Sequence, residues 1–268
     1  MRNMKLLMVV AALMVPLFWT GTLWAAEEPV PVNNDAINPG DPGPGGGIAP
    51  EIEAVTTEST VVTGTVVGTN CWLARGAEGA KYRDSAIACA RNGTPLAILT
   101  DAGSLVYPIT IGSAGNAQPD MSTLMSYSEQ RVNVTGKLIK RGKEHAIIIY
   151  NVTAAPKPKE ARTLAVKETP GAQFVGRVVD LDCWIVKGNA GTSDPKRVGS
   201  CAASGDPLVI ASGGRIYYPV TMTMPKSPVG ISMLSTYSGQ KVRVTGTVID
   251  RGEGRGVIID KVAPLASK

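Results

Sequence analysis

The chain has 268 residues, a net charge of +5 and only 5% aromatic residues. That balance permits contact with an anionic surface without requiring it, and so few aromatics argue against a protein that tracks single-stranded nucleic acid by base stacking. With one histidine, His145, Ser–His catalysis would rest on that residue alone, and a zinc site, which wants four close ligands, would need the rest from other residue types.

Residues 1–26 read as a secretory signal peptide. Arg2 and Lys5 open it, an apolar run extends from Leu6 to Phe18, and Ala25-Ala26 precede Glu27. An uncleaved anchor is the alternative, since the run approaches the length of a membrane span. Pro16 and the closing Ala-Ala favour cleavage, after which no transmembrane segment is expected. Export implies a periplasmic or secreted protein. Residues 27–59 form a leader rich in Pro and Gly, with seven acids and no Lys or Arg. Such a stretch buries too little apolar surface to offset its ordering entropy and is expected to be disordered. Its glycine run has no Gly-Lys-Ser/Thr ending, so it is not a phosphate loop.

One motif then occurs twice, 112 residues apart. Gly64-Thr-Val-Val-Gly-Thr-Asn-Cys71-Trp72 matches Gly176-Arg-Val-Val-Asp-Leu-Asp-Cys183-Trp184, and each copy places a second cysteine, Cys89 or Cys201, 18 positions on. Pro95 and Pro207 follow, then Tyr107-Pro108 and Tyr218-Pro219, then a Val-Thr-Gly ending at Gly136 and Gly246. A period this long denotes a duplicated domain rather than a solenoid unit. The domains are assigned to residues 60–153 and 173–268, joined by a Pro- and Lys-containing linker, residues 154–172.

Within each copy a first strand (Val61 to Val67, Phe174 to Val179) contains a glycine that suggests a bulge or tight bend. A hairpin follows, Pro95 to Thr100 with Leu105 to Thr110, and Pro207 to Ala211 with Arg215 to Val220. Between the cysteines the chain reads as partly helical, with Ser193 or Asp194 capping a turn that starts at Pro195. A short helix fits Met121 to Tyr127 and Ile231 to Tyr237. The fourth strand alternates, with Val132, Val134 and Leu138, or Val242, Val244 and Val248, on one face. Arg141-Gly142 and Arg251-Gly252 turn the chain into a fifth strand.

Three strands, a helix and two strands give an all-β fold with short helices: two tandem five-stranded barrels of the OB type. The Val-x-Val-x-Gly strand, the Arg-Gly hairpin and the final apolar strand resemble the OB-fold modules of bacterial exported proteins. The Cys-Trp…Cys…Gly-x-Pro-Leu pattern resembles small exported domains of unknown activity. Ser85 and Arg197 stand where such domains often carry a further cysteine.

Four cysteines allow three pairings, and the repeat singles out Cys71–Cys89 and Cys183–Cys201 as structural disulfides, each stapling a helical insertion to its barrel and packed by Trp72 or Trp184. No Cys-x-x-Cys is present, so dithiol redox chemistry and metal binding form the rival reading. Asp180 and Asp182 are read as shaping the turn after the first strand, because Gly68 and Asn70 stand there in the first copy. Met222 and Met224 could bind copper(I), but the first copy has no methionine there, and strand packing explains them better. No catalytic residue, metal ligand or cofactor is assigned. The candidate binding face comprises Trp72, Tyr107, Trp184, Tyr217 and Tyr218. The expected function is that of an exported, non-enzymatic binding or scaffold protein of the cell envelope, with an envelope protein or glycan as partner and no nucleic acid. A thiol-redox or copper-handling factor is the alternative.

Overall fold

In each repeat, apolar residues at every second position of the strands turn inward and close a barrel. The computed structural model describes residues 54–56, 59–91, 94–109, 121–157, 164–188, 195–203, 206–221 and 231–265. The expected signal peptide, residues 27–53 of the leader, Ser193, Asp194, Met222 and Met224 lie outside them.

The first barrel contains β1 (Ala54–Thr56), β2 (Thr60–Gly68), α1 (Thr69–Arg75), α2 (Arg83–Arg91), β3 (Leu96–Thr100), β4 (Leu105–Pro108), α3 (Met121–Ser126), β5 (Arg131–Arg141) and β6 (Glu144–Ala154). The second contains β7 (Val166–Asp180), α4 (Leu181–Lys187), α5 (Pro195–Ala203), β8 (Leu208–Ser212), β9 (Arg215–Pro219), α6 (Ile231–Ser235), β10 (Lys241–Arg251) and β11 (Gly254–Pro264). The second ring runs β10-β11-β9-β8-β7, and the first runs in the matching order, closed by β5 on β6 with β1 added along β5. Both close through one short parallel pairing, β4 with β6 and β9 with β11.

Two boundaries differ from the expectation. β7 begins at Val166, inside the stretch read as linker, because Val166 to Glu168 pair with Arg251 to Ile249. β1 makes the equivalent pairing in the first barrel, Ala54 to Thr56 against Arg141 to Ile139, and lies inside the stretch read as leader. The glycine expected to mark a bulge does not do so. β2 keeps one register with β3 through Gly64, where a Cβ would lie 2.5 Å from the Leu99 carbonyl oxygen. The bulges fall instead at Thr135/Gly136 and Thr245/Gly246.

Val66, Leu96, Ile98, Val106, Val132, Val134, Ile147 and Ile149 fill the first barrel, with Leu124 of α3 packed among them. Val178, Leu208, Ile210, Tyr217, Val242, Val244, Val257 and Ile259 fill the second, with Leu234 of α6 in the corresponding place. A third cluster belongs to neither interior. It joins the outward residues of β3 and β4 (Ala97, Leu99, Leu105, Tyr107) to those of β8 and β9 (Val209, Ile216, Tyr218), together with Trp72 and Leu73 of α1 and Trp184 and Ile185 of α4. The barrels are therefore packed face to face through a continuous apolar joint.

The joint has approximate two-fold symmetry. Tyr107 stacks on Tyr218, its own counterpart in the repeat, with ring centroids 4.7 Å apart. Arg141 donates through Nε to the Ile185 carbonyl at 2.9 Å, while the equivalent Arg251 donates to the Leu73 carbonyl at 3.1 Å. Such reciprocal contacts are those of an isologous dimer, here within one chain. No helix among the described residues is long and apolar enough to cross a membrane.

Candidate functional site at the paired cysteines

In both barrels a helix starts directly from the end of the first strand. Its first turn presents a cysteine and then a tryptophan, which neighbouring helical positions aim in different directions. Cys71 faces α2, whereas Trp72 enters the joint, where its ring would meet a Cβ at Gly254 of the other barrel at 2.9 Å. Trp72 and Trp184 both lie in the apolar cluster that joins barrel to barrel.

The sulfurs of Cys71 and Cys89 lie 3.8 Å apart. A disulfide bond needs about 2.05 Å. All four cysteines are thiols in this structure, so the expected bridges are not formed, although each repeat does bring its two cysteines together. The 71–89 pair sits at a hydrogen-bonding separation, and the Cys89 thiol together with the Arg75 charge lowers Cys71 to about 7. Cys89 is raised correspondingly. Cys71 is thus the more acidic thiol of the pair and carries its thiolate character.

The second pair has the opposite electrostatics. Burial, then the Asp180 carboxylate, pushes Cys183 up to about 12, and Cys201 is raised for the same reasons. Asp180 is the N-cap of α4, its Oδ1 accepting from the Cys183 amide at 2.7 Å. The turn-shaping role read from the sequence is seen here, but the carboxylate does more. One oxygen of Asp180 and both sulfurs, Cys183 and Cys201, lie within 4.8 Å of one another. Asp180 and Asp182 are buried, and Asp206 joins them at 5% exposure. Among the described residues, Asp180 Oδ2 and both Asp206 oxygens lack a hydrogen-bond partner. Burial and the neighbouring Asp182 and Asp180 push Asp206 up to about 8. The Arg197 guanidinium donates to Cys183 Sγ at 3.4 Å. The first repeat holds Gly68, Asn70 and Thr94 at the three acidic positions. Sequence reading does not single out Asp206, yet a signal exists: three neutral positions of one copy are all acidic in the other.

The candidate binding face is placed differently. Trp72, Tyr107, Trp184 and Tyr218 are all buried in the joint, and Tyr217 lies inside the second barrel, stacked on Phe174 with centroids 4.2 Å apart. Arg255 donates to the Tyr217 hydroxyl at 2.9 Å. Side chains this buried offer no stacking surface to a ligand. His145 is half-buried on β6, paired across the ladder with Lys140, and its pKa is lowered by burial and by that lysine. No known protein family, curated protein or solved structure matches the chain.

Proposed function

We propose that this chain is an exported, non-enzymatic binding or scaffold protein of the cell envelope, and that its working unit is the fused pair of barrels. One observation carries this reading. OB-type barrels take ligands on the face of their second and third strands, and here the outward sides of β3 and β4 are buried against those of β8 and β9. The usual ligand face of each barrel is thus consumed by the other. A small cleft at the joint, lined by Thr69, Asn70, Pro95, Pro207, Tyr218 and their neighbours, has room for about a single water. Binding therefore falls to the outer strands, where Val61, Tyr150 and Val175 are exposed. Exchange with the disulfide of an envelope thiol oxidant would join Cys71 to Cys89, whose sulfurs are already adjacent, leave that oxidant as two thiols, and staple α2 to α1.

The test is chemical cross-linking of the mature protein to envelope extract, read by peptide mass spectrometry, alongside a glycan array. The expected result is a saturable partner whose cross-links map to β2, β6 and β7. If neither screen finds one, and the protein instead turns over a thiol or ester substrate, the scaffold reading fails.

A further inference from the structure

We infer that the second barrel holds a divalent transition-metal ion, zinc by its donor chemistry, on Asp180, Cys183 and Cys201. The three side chains come from the start of α4 and the end of α5, and their donor atoms already lie within 4.8 Å of one another. Tetrahedral zinc draws its ligands to about 2.0–2.3 Å, which places donor atoms under 4 Å from each other, so only a small inward movement is needed. Two thiolates favour a borderline ion over a hard one, and the carboxylate favours zinc over copper(I). Three protein donors leave a fourth position open, as in zinc sites that keep a water or take a substrate.

An independent observation points to the same place. Asp180 is fully buried and one of its oxygens has no hydrogen-bond partner among the described residues; Asp206, close behind it, has two such oxygens. Unpartnered carboxylates in the interior are costly unless something positive meets them. Arg197 reaches Cys183 Sγ, but it is one charge. Two thiolates and the Asp180 carboxylate are balanced by a divalent cation together with that guanidinium, and Arg197 then serves as a hydrogen-bond donor to a metal-bound sulfur. The first barrel serves as the internal contrast: it keeps the cysteine pair but has Gly68, Asn70 and Thr94 in place of the acids. On this reading the duplication separates two uses of one scaffold, a thiol pair in the first copy and an ion site in the second. Binding releases the two thiol protons and leaves the oxidation state of every atom unchanged.

The experiment titrates the full-length mature protein, reduced and then freed of reductant, with Co²⁺ alone, and measures zinc retained after expression. The expected result is one equivalent of Co²⁺ giving a thiolate-to-cobalt charge-transfer band, displaced by Zn²⁺. Cys183→Ser abolishes the band, whereas Cys71→Ser leaves it intact. Asp180→Asn keeps the helix cap, since Asn caps as well as Asp, and weakens Co²⁺ binding by about tenfold or more. Circular dichroism of each variant separates lost binding from lost folding. No cobalt band in the folded wild type overturns the proposal. So does a band that survives Cys183→Ser and disappears with Cys71→Ser, or a Cys183–Cys201 disulfide in native protein that binds no cobalt once reduced.

Discussion

Gly136 and Gly246 mark the closest backbone approach in each barrel. A Cβ would lie 2.1 Å from the Ile148 carbonyl oxygen at the first and from the Ile258 carbonyl oxygen at the second. Both sit on the bulge of an 11-residue strand, which bends there. On β5, Val132 and Val134 precede the bend and line the barrel, while Ile139 and Arg141 follow it and face the joint. Gly136→Ala and Gly246→Ala must displace a neighbouring strand, and each is expected to cost about 2–4 kcal/mol. For a protein of this size that lowers the melting temperature by roughly 5–15 °C. Gly199→Ala in α5 is the control: a Cβ there meets nothing within 4 Å, and alanine favours the helix by about 0.5–1 kcal/mol. Thermal unfolding followed by circular dichroism separates the outcomes. The sequence marks all these glycines alike; only the paired strand distinguishes a close approach at Gly64 from a bulge at Gly136.

The strands and short helices are legible from periodicity and turn residues because those signals act locally. Alternation places Val242, Val244 and Val248 on the inner face, where the structure has them. The joint is not legible in the same way, since alternation reports one buried face and β3 and β4 bury two. Their near-continuous apolar runs, Leu96-Ala-Ile-Leu99 and Leu105-Val-Tyr107, do carry the signal of a strand covered on both sides. The two arginines closing the fourth strands show how the joint is pinned. Arg141 serves the last carbonyls of α4, Ile185 and Val186, and Arg251 serves Leu73 of α1, so each meets helix ends that lack an internal partner. Arg141→Ala and Arg251→Ala should each destabilise by about 1.5–3 kcal/mol, the range for hydrogen bonds made by a charged group. Because both act on one contact surface, the double variant should depart from additivity. Denaturant melts of the two single variants and the double variant decide it; strict additivity would mean that the barrels unfold separately.

Symmetry between the barrels is broken where Glu144 in the first corresponds to Gly254 in the second. Glu144 is buried at the joint, accepts from the Ile216 amide of the other barrel at 3.3 Å, and has Arg215 Nε 3.8 Å from its carboxylate. Burial outweighs these partners and raises its carboxyl from 4.5 to about 7. A carboxyl whose pKa is higher folded than unfolded binds its proton more tightly in the native state. Its contribution to stability is complete below pH 4.5 and is lost as pH rises through about 7. Glu129, also raised to about 7 and chiefly by burial, acts in the same direction. Every tenfold gain in proton affinity on folding is worth about 1.4 kcal/mol, so the protein should be a few kcal/mol more stable at pH 5 than at pH 7.5. Glu144→Gln keeps an acceptor for the Ile216 amide and removes the titration. Its melting temperature should therefore vary less across this window than that of the wild type, with the remaining slope due to Glu129 and the other raised carboxyls. A variant that retains the full slope would show that the stability of the joint does not depend on the titration of this carboxyl.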